Sequence, residues 1–554
     1  MQISASKAKT KMVDLLESKP ERAHAYVRDG WWPNRTLLDY FDAAVAFDRN
    51  KIAIVSQEQR VSYGDLAVLV EKAARGLWAS GIRPGDVISV QLQNSIEFVV
   101  VHLAATRLGA VTNPLLPNYR SKELEYILNF ARTKVVVIPS VYRGFDYPKM
   151  YVQLARKLPH LLAIFVVGGS NAAGLRSFNS LYSDGEFDAA PASPDAISSL
   201  IFTSGTESTP KGVVHSHNTM LYGTVHLARV IGLGRDDIIW IPSPVGHGTG
   251  FQWGVRQAVT LGATMVLQDM WNAEEALRLI QQERCTFVLS ATPFVQMLLD
   301  AYLKTKPDVS SLRVFGCAGA PIPRRLGALA RDAMGCKLIG MWGMTECFVA
   351  STSAPSDPEA KLWETDGRAV PGGELAIFDE TRTRLLEPGE IGELATRGPH
   401  VALGYFNDPE RTRATFSDEG WLFSNDLATI DADGFIRIVG RKKDIINRGG
   451  LKFSAREIED ILIEHPAVAK AALVGLPDDR VGEKACVCVV LSEGRTIALK
   501  DVVEYLSARG LAKYKMPEFI AWIEDLPMTP SGKVQKFRLK DDILAGTIKA
   551  VSMQ

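Results

Sequence analysis

The chain has no apolar run that could cross a bilayer. Its longest stretches, such as Leu161–Val167 and Phe98–Val101, fall far below the ~18 residues a spanning helix needs. Cysteine is sparse, six in 554 residues, which excludes a secreted disulfide framework. Charge of one sign is missing as well: 63 Lys and Arg meet 63 Asp and Glu, for a formal net charge of zero. That balance argues against a strongly basic nucleic-acid binder and against an acidic tail. No low-complexity tract and no repeat of about 20–50 residues is present. The start, MQISASKAKTKMVDLLESKP, has basic residues but no apolar core, and Asp14 and Glu17 argue against a transit peptide. The end, VSMQ, is not a retention or peroxisomal address. These absences lead to the expectation of a cytoplasmic protein with no transmembrane segment and no nucleic-acid partner.

What is present is ordinary in composition, 46% apolar and 23% charged, as in soluble globular proteins. The length suggests three or four structural units at roughly 150 residues each. Strand and helix patterns alternate through the N-terminal half. Val87–Leu92 reads as a buried strand, followed by a helix capped by Ser95 and ended at Gly109. Ala263–Leu267 is another strand, and Asn272 with Glu275 three residues on opens a helix. Thr286–Leu289 returns as a strand, and Thr292-Pro293 reads as a cap with proline at the first helical position. Alternation of this kind predicts an α/β fold with much parallel sheet. From about 370 to 440 frequent turn dipeptides separate short strands, which reads as a smaller β-rich subdomain. Beyond Asp444 the pattern is α+β, with a helix near Ser454–Glu464 and a strand near Ala485–Leu491. Cys486 and Cys488 on that strand share one face, and burial is the expected reason for them.

The chemistry is carried by loops. A strand, Ser199–Phe202, runs into Thr203-Ser204-Gly205-Thr206-Glu207-Ser208-Thr209-Pro210-Lys211-Gly212. Hydroxyls, glycine and backbone N–H groups suit phosphate oxygens, and Lys211 adds charge. A Walker A loop fails, because Pro210 and Gly212 stand where it needs glycine and Ser/Thr. This loop is similar to the phosphate loop of the adenylate-forming superfamily, which includes acyl-CoA synthetases, luciferases and adenylation domains. Glu207 and Ser208 stand where threonine and glycine are usual.

Further segments follow in that superfamily's order. Gly316-Cys317-Ala318-Gly319-Ala320-Pro321 resembles the adenine-lining segment. Met341-Trp342-Gly343-Met344-Thr345-Glu346 resembles the aromatic-G-x-T-E motif. There the resemblance implies Thr345 at the α-phosphate and Glu346, with Thr206, at Mg²⁺. Ser424-Asn425-Asp426 resembles T-G-D, with Asp426 on the ribose hydroxyls and Asn425 replacing glycine. Gly440-Arg441-Lys442-Lys443-Asp444 resembles the inter-domain motif: Arg441 at ribose or phosphate, Lys443 at a hinge, continued by Gly449-Gly450. Pro527-Met528-Thr529-Pro530-Ser531-Gly532-Lys533 resembles the motif of the mobile catalytic lysine, here Lys533. Pro244-Val245-Gly246-His247-Gly248-Thr249-Gly250 resembles the segment whose histidine lies between acyl pocket and pantetheine tunnel. His215 and His217 follow the phosphate loop, where a structural role outweighs metal binding.

The resemblance implies a large composite N-terminal domain of stacked α/β sheets (1–440), a hinge at 441–443 and a mobile lid at 444–554. It implies ATP, Mg²⁺ and CoA as cofactors and a small carboxylic acid as substrate, and it allows a homodimer. Segments 246–253, 267–271 and 290–298 are most similar to cyclohexanecarboxylate–CoA ligases and short- or medium-chain fatty acyl-CoA synthetases. An apolar pocket of Phe251, Trp253, Phe294, Ala318, Gly343 and Met344 is the corresponding expectation. Two alternatives stand beside this acid–thiol ligase: adenylation with transfer to a carrier-protein pantetheine, and a nucleotide-binding regulator without catalysis.

Overall fold

The computed structural model describes residues 20–169, 173–203, 210–319, 324–528 and 534–552. By packing, the chain divides into two compact units. The first comprises Met1–Trp363, Ala369–Glu374 and Thr396–Leu422; the second Glu364–Arg368, Leu375–Ala395 and Phe423–Gln554. Most of the turn-rich stretch from 370 to 440 thus divides between them, and its larger β-strands pack with the C-terminal segment.

The first unit is α/β, as the alternation predicts. One sheet sets Lys337–Trp342, Val314–Ala318, Phe287–Ser290, Ile238–Ile241, Thr264–Leu267 and Ile52–Ser56 side by side and parallel. A second sheet aligns Ile197–Thr203, Val111–Pro114, Val87–Val90, Val135–Pro139 and Ala163–Val167 in parallel. Lys211–Ser216 and Gly404–Tyr405 extend it antiparallel. Alternate residues of each strand enter different cores. Val135 and Val137 join Ile239 and Ile241 in a cluster with helices Tyr63–Ala79 and Ile96–Arg107. Val136 and Ile138 face a second cluster, and Trp240, Val288 and Phe315 a third. Burial on both faces is why these strands read as continuous apolar runs rather than as alternation.

Local signals place the helices. The Ser95 hydroxyl accepts from Phe98 N–H, and the Asn272 side chain accepts from Glu275 N–H. Thr292 departs from its expected role: helix Thr292–Thr305 is capped by Ala291, with no side-chain cap bond. The Thr292 hydroxyl instead bonds to the buried Cys317 thiol on the neighbouring strand.

In the second unit, a sheet of Glu374–Phe378, Gly392–Arg397, Leu422–Ile430 and Ile436–Arg441 precedes an α+β segment. There Ala485, Val487 and Val489 face one core, with helices Ala455–Ile463 and Leu499–Ala508. Cys486 and Cys488 face the other, with Leu539. Both cysteines are fully buried, as their spacing on a strand predicts.

Candidate active site

Parallel strands deliver their carboxyl ends to one edge of a sheet, and that is where ligands of such folds bind. In the first unit the segments 243–250, 291–294, 318–319 and 343–348 all leave strands at this edge. Register brings two motifs together: Ala318 pairs with Met341 across adjacent strands, and Gly319 follows at φ +83°. Met341 and Trp342 are buried strand residues, and the chain turns at Gly343. A Cβ at Gly343 would lie 1.7 Å from the Phe348 carbonyl oxygen, so only glycine permits the loop to fold back this closely. Phe348 itself sits at φ +54°, rare for a bulky residue and a mark of a taut loop.

Between these two residues lie Met344, Thr345, Glu346 and Cys347. Glu346 is 4% exposed, and its Oε1 accepts from the Tyr405 hydroxyl at 2.6 Å. The Glu346 carbonyl accepts from Ala402 N–H at 2.8 Å. Tyr405 is held opposite Val213 by an antiparallel pairing, which sets it beside Lys211, whose Nζ is 5.7 Å from the Tyr405 ring centroid. Burial, then the Glu346 charge, raises the Tyr405 phenol well above its ordinary range, so it stays a donor. Thr203 pairs with Lys211 across the segment expected to meet phosphate. Ser204, Gly205 and Thr206 of that segment lie outside the described residues, as do Ala320, Pro321 and Lys533.

His215 supports the same loop from below. Its Nε2 donates to the Thr345 carbonyl at 2.8 Å, and its ring stacks on Phe348 at 4.5 Å. Burial lowers its pKa to about 4, against a rise from the Thr345 hydrogen bond, and the Arg256 charge lowers it further. His215 is therefore neutral at ordinary pH. His217 is buried too, and among the described residues no three His, Cys, Asp or Glu side chains cluster as for a metal.

The loop carrying His247 is held by Asn94, a residue without a motif. Its side chain donates to the carbonyls of Ile241, Ser243 and Gln268 and accepts from Val245 N–H. His247 caps the short helix Gly248–Gly250, with Nδ1 accepting from Thr249 N–H. The expected pocket residues separate. Trp253 packs over Gly223 and edge-on to Phe348. Phe251 is fully buried among Phe98, His102 and Arg256. Phe294 does not join them: it packs against Trp271 in the cluster on the opposite sheet face, where Val295, Leu298 and Leu299 of the same helix are buried. Trp253, Ala318, Gly343 and Met344 remain beside the Thr345–Glu346 loop.

In the second unit Asp426 and Arg441 are cross-strand partners, with Asp426 Oδ1 3.2 Å from Arg441 Nε. Asn425 adopts the left-handed conformation at φ +62°, which asparagine tolerates where glycine is usual. Lys443 sits in the single turn Lys442–Asp444. Gly449 and Gly450, at φ +62° and +87°, form the exposed two-residue turn between Ile445–Arg448 and Leu451–Ser454, the geometry tight hairpins favour. Sequence reading missed Tyr405, Asn94 and Glu393; they stand outside every motif, and no local spacing marks them.

Comparison with known proteins supplies the decisive finding. The AMP-binding enzyme family matches residues 41–406, and the AMP-binding enzyme C-terminal domain matches residues 457–533. The chain belongs to the AMP-binding enzyme family. It is 38% identical over 529 residues to the medium-chain fatty-acid–CoA ligase of Escherichia coli (strain K12), covering 95% of this chain and 93% of that one. It is 32% identical over 525 residues to the 2,3-dihydroxybenzoate-AMP ligase of Bacillus subtilis (strain 168), covering 94% and 96%. The crystal structure of the anthranilate CoA ligase AuaEII with anthranoyl-AMP superposes with a TM-score of 0.85 at 26% identity, covering 93% and 98%. Membership in the AMP-binding enzymes bears out the expected superfamily, the α/β fold with a smaller C-terminal part, and the acid–thiol ligase class. Among the described residues no helix is long and apolar enough to cross a membrane.

Proposed function

We propose that this AMP-binding enzyme joins an apolar carboxylic acid to CoA. The acid is alicyclic, such as cyclohexanecarboxylate, or a short- to medium-chain fatty acid. The first half-reaction attaches the carboxylate to the α-phosphate of ATP and releases pyrophosphate. The second transfers the acyl group to the CoA thiol and releases AMP. The observation that carries this reading is the Lys211–Tyr405–Glu346 array beside Thr345 at the carboxyl edge of the sheet. Adenylation needs no side-chain nucleophile; it needs like charges held together while charge builds on phosphorus.

In this reading Lys211 and the Thr345 hydroxyl meet phosphate oxygens, and Asp426 accepts from the ribose hydroxyls beside Arg441. Glu346 presents a carboxylate oxygen fixed by Tyr405, a donor that fits Mg²⁺. That ion is commonly held by one or two carboxylates together with substrate phosphates rather than by an all-protein cage. Mg²⁺ would neutralise phosphate charge when bound. Lys533 serves the first half-reaction, and rotation at 441–443 exchanges it for a thiol-binding face in the second. His247 lies on the thiol's approach, and Trp253 with Ala318, Gly343 and Met344 walls an apolar pocket. A carrier-protein pantetheine is the second reading of the acceptor, supported by similarity to a relative named for AMP ligation alone.

The test is a panel of carboxylic acids with ATP and Mg²⁺, ranked by kcat/KM with free CoA and with a pantetheinylated carrier protein. Alicyclic and six- to ten-carbon acids with free CoA should rank highest. Aryl acids or carrier protein at the top would replace the reading. Lys533→Ala should abolish acid-dependent ATP–pyrophosphate exchange while sparing thioester formation from supplied acyl-adenylate; equal loss of both would refute its role.

A further inference from the structure

Glu393 lies outside the motifs quoted above, yet it is a fully buried carboxylate, 0% exposed at its side chain. A buried charge is costly unless paired and hydrogen-bonded. Here both oxygens are saturated. Oε1 accepts from Arg382 Nη2 at 2.8 Å and from the backbone N–H of Asn425 at 3.2 Å. Oε2 accepts from Arg382 Nε at 2.8 Å and from Lys442 Nζ at 2.5 Å. Burial pulls the carboxyl pKa up, but the hydrogen bonds from Arg382 and Lys442 prevail and hold it below the ordinary range. Arg382 is fixed in turn, its guanidinium 4.5 Å from the Phe423 ring centroid.

The anchored groups flank one pair. Asn425, in its left-handed conformation, immediately precedes Asp426. Lys442 immediately follows Arg441, the register partner of Asp426. Ser424 adds a second tie: its hydroxyl donates to the Leu394 carbonyl and accepts from Asp426 N–H. Strand Gly392–Arg397 therefore holds the residues that precede Asp426 and follow Arg441 on the two facing strands.

We propose that Glu393 is a positioning residue for nucleotide binding: it fixes the Asp426–Arg441 pair in the orientation a ribose requires. The proposal rests on the nucleotide role given to Asp426 and Arg441 above. Glu393→Gln keeps the volume but places an amide where two cations need a carboxylate. In acid-dependent ATP–pyrophosphate exchange, KM for ATP should rise about tenfold, the effect of losing one charge-assisted hydrogen bond. KM for the carboxylic acid should not change. Lys442→Met should shift KM for ATP in the same direction by about threefold. Because it removes the uncompensated ammonium, Lys442→Met combined with Glu393→Gln should recover part of the loss.

A melting temperature lowered in Glu393→Gln with KM for ATP unchanged would overturn the proposal and leave a structural ion pair. Equal shifts in both KM values would overturn it as well. Asp426→Asn runs in parallel: an unchanged KM for ATP there would refute the nucleotide reading itself. If Glu393→Gln fails to fold, Lys442→Met decides alone, and an unmoved KM for ATP then refutes the proposal.

Discussion

Replacing Gly343 by alanine tests whether the Thr345–Glu346 loop is built as described. The added Cβ would stand 1.7 Å from the Phe348 carbonyl oxygen and 2.6 Å from its carbon. Both are backbone atoms, so no side-chain rotation relieves the overlap. The loop must retreat by more than 1 Å, and Phe348, already at φ +54°, has little backbone freedom left to absorb the shift. Thr345 and Glu346 lie inside the displaced stretch. A misplacement of about 1 Å at reacting groups costs roughly 100-fold in rate, which is the loss expected for kcat/KM in acid-dependent ATP–pyrophosphate exchange. Overpacking should also destabilise the fold by about 1–3 kcal/mol. Gly234→Ala is the control, because nothing lies within 4 Å of its Cβ. Gly343→Ala within threefold of the parent enzyme, with an unchanged melting temperature, would refute the loop geometry.

Tyr405→Phe removes the hydroxyl that donates to Glu346 at 2.6 Å. A hydrogen bond to a buried carboxylate contributes about 1.5–3 kcal/mol, so exchange activity should fall roughly tenfold to 100-fold; an unchanged Mg²⁺ and ATP dependence would refute the role of Tyr405. His215 titrates near 4 in the folded chain instead of near 6.5. The unfolded chain thus binds the extra proton first, and stability falls as pH drops from about 6.5 to about 4. The full contribution is roughly 3 kcal/mol, and denaturation midpoints against pH should show it. His215→Gln should make that dependence shallower, with the buried His102, His217 and His400 supplying the remainder, and an identical slope in the variant would refute it.

Much of the fold was legible because local chemistry acted alone. Ser95 and Asn272 cap where they were expected to, and Asn425 takes the left-handed place of a glycine. Thr292 is not the cap because the helix begins one residue earlier than read, with Thr292 as its first residue and Ala291 at the cap. Phe294 packs away from the expected pocket residues because its helix buries Val295, Leu298 and Leu299 on the other sheet face, a choice motif matching does not see. Gly449 and Gly450, read toward the cofactor, take the positive backbone angles of a hairpin turn, which two consecutive glycines announce locally.

Alternation pointed to an α/β fold, and the order of the loops pointed to its superfamily. Each of those signals is short in range, since a strand, a cap or a phosphate loop is written in consecutive residues. What holds the side chains of the candidate site was decided only in three dimensions. Glu346 meets a donor 59 residues away, and Glu393 a cation 49 residues away. Strand register makes those meetings, and register follows from which faces bury together, a property of the whole sheet rather than of any segment in it.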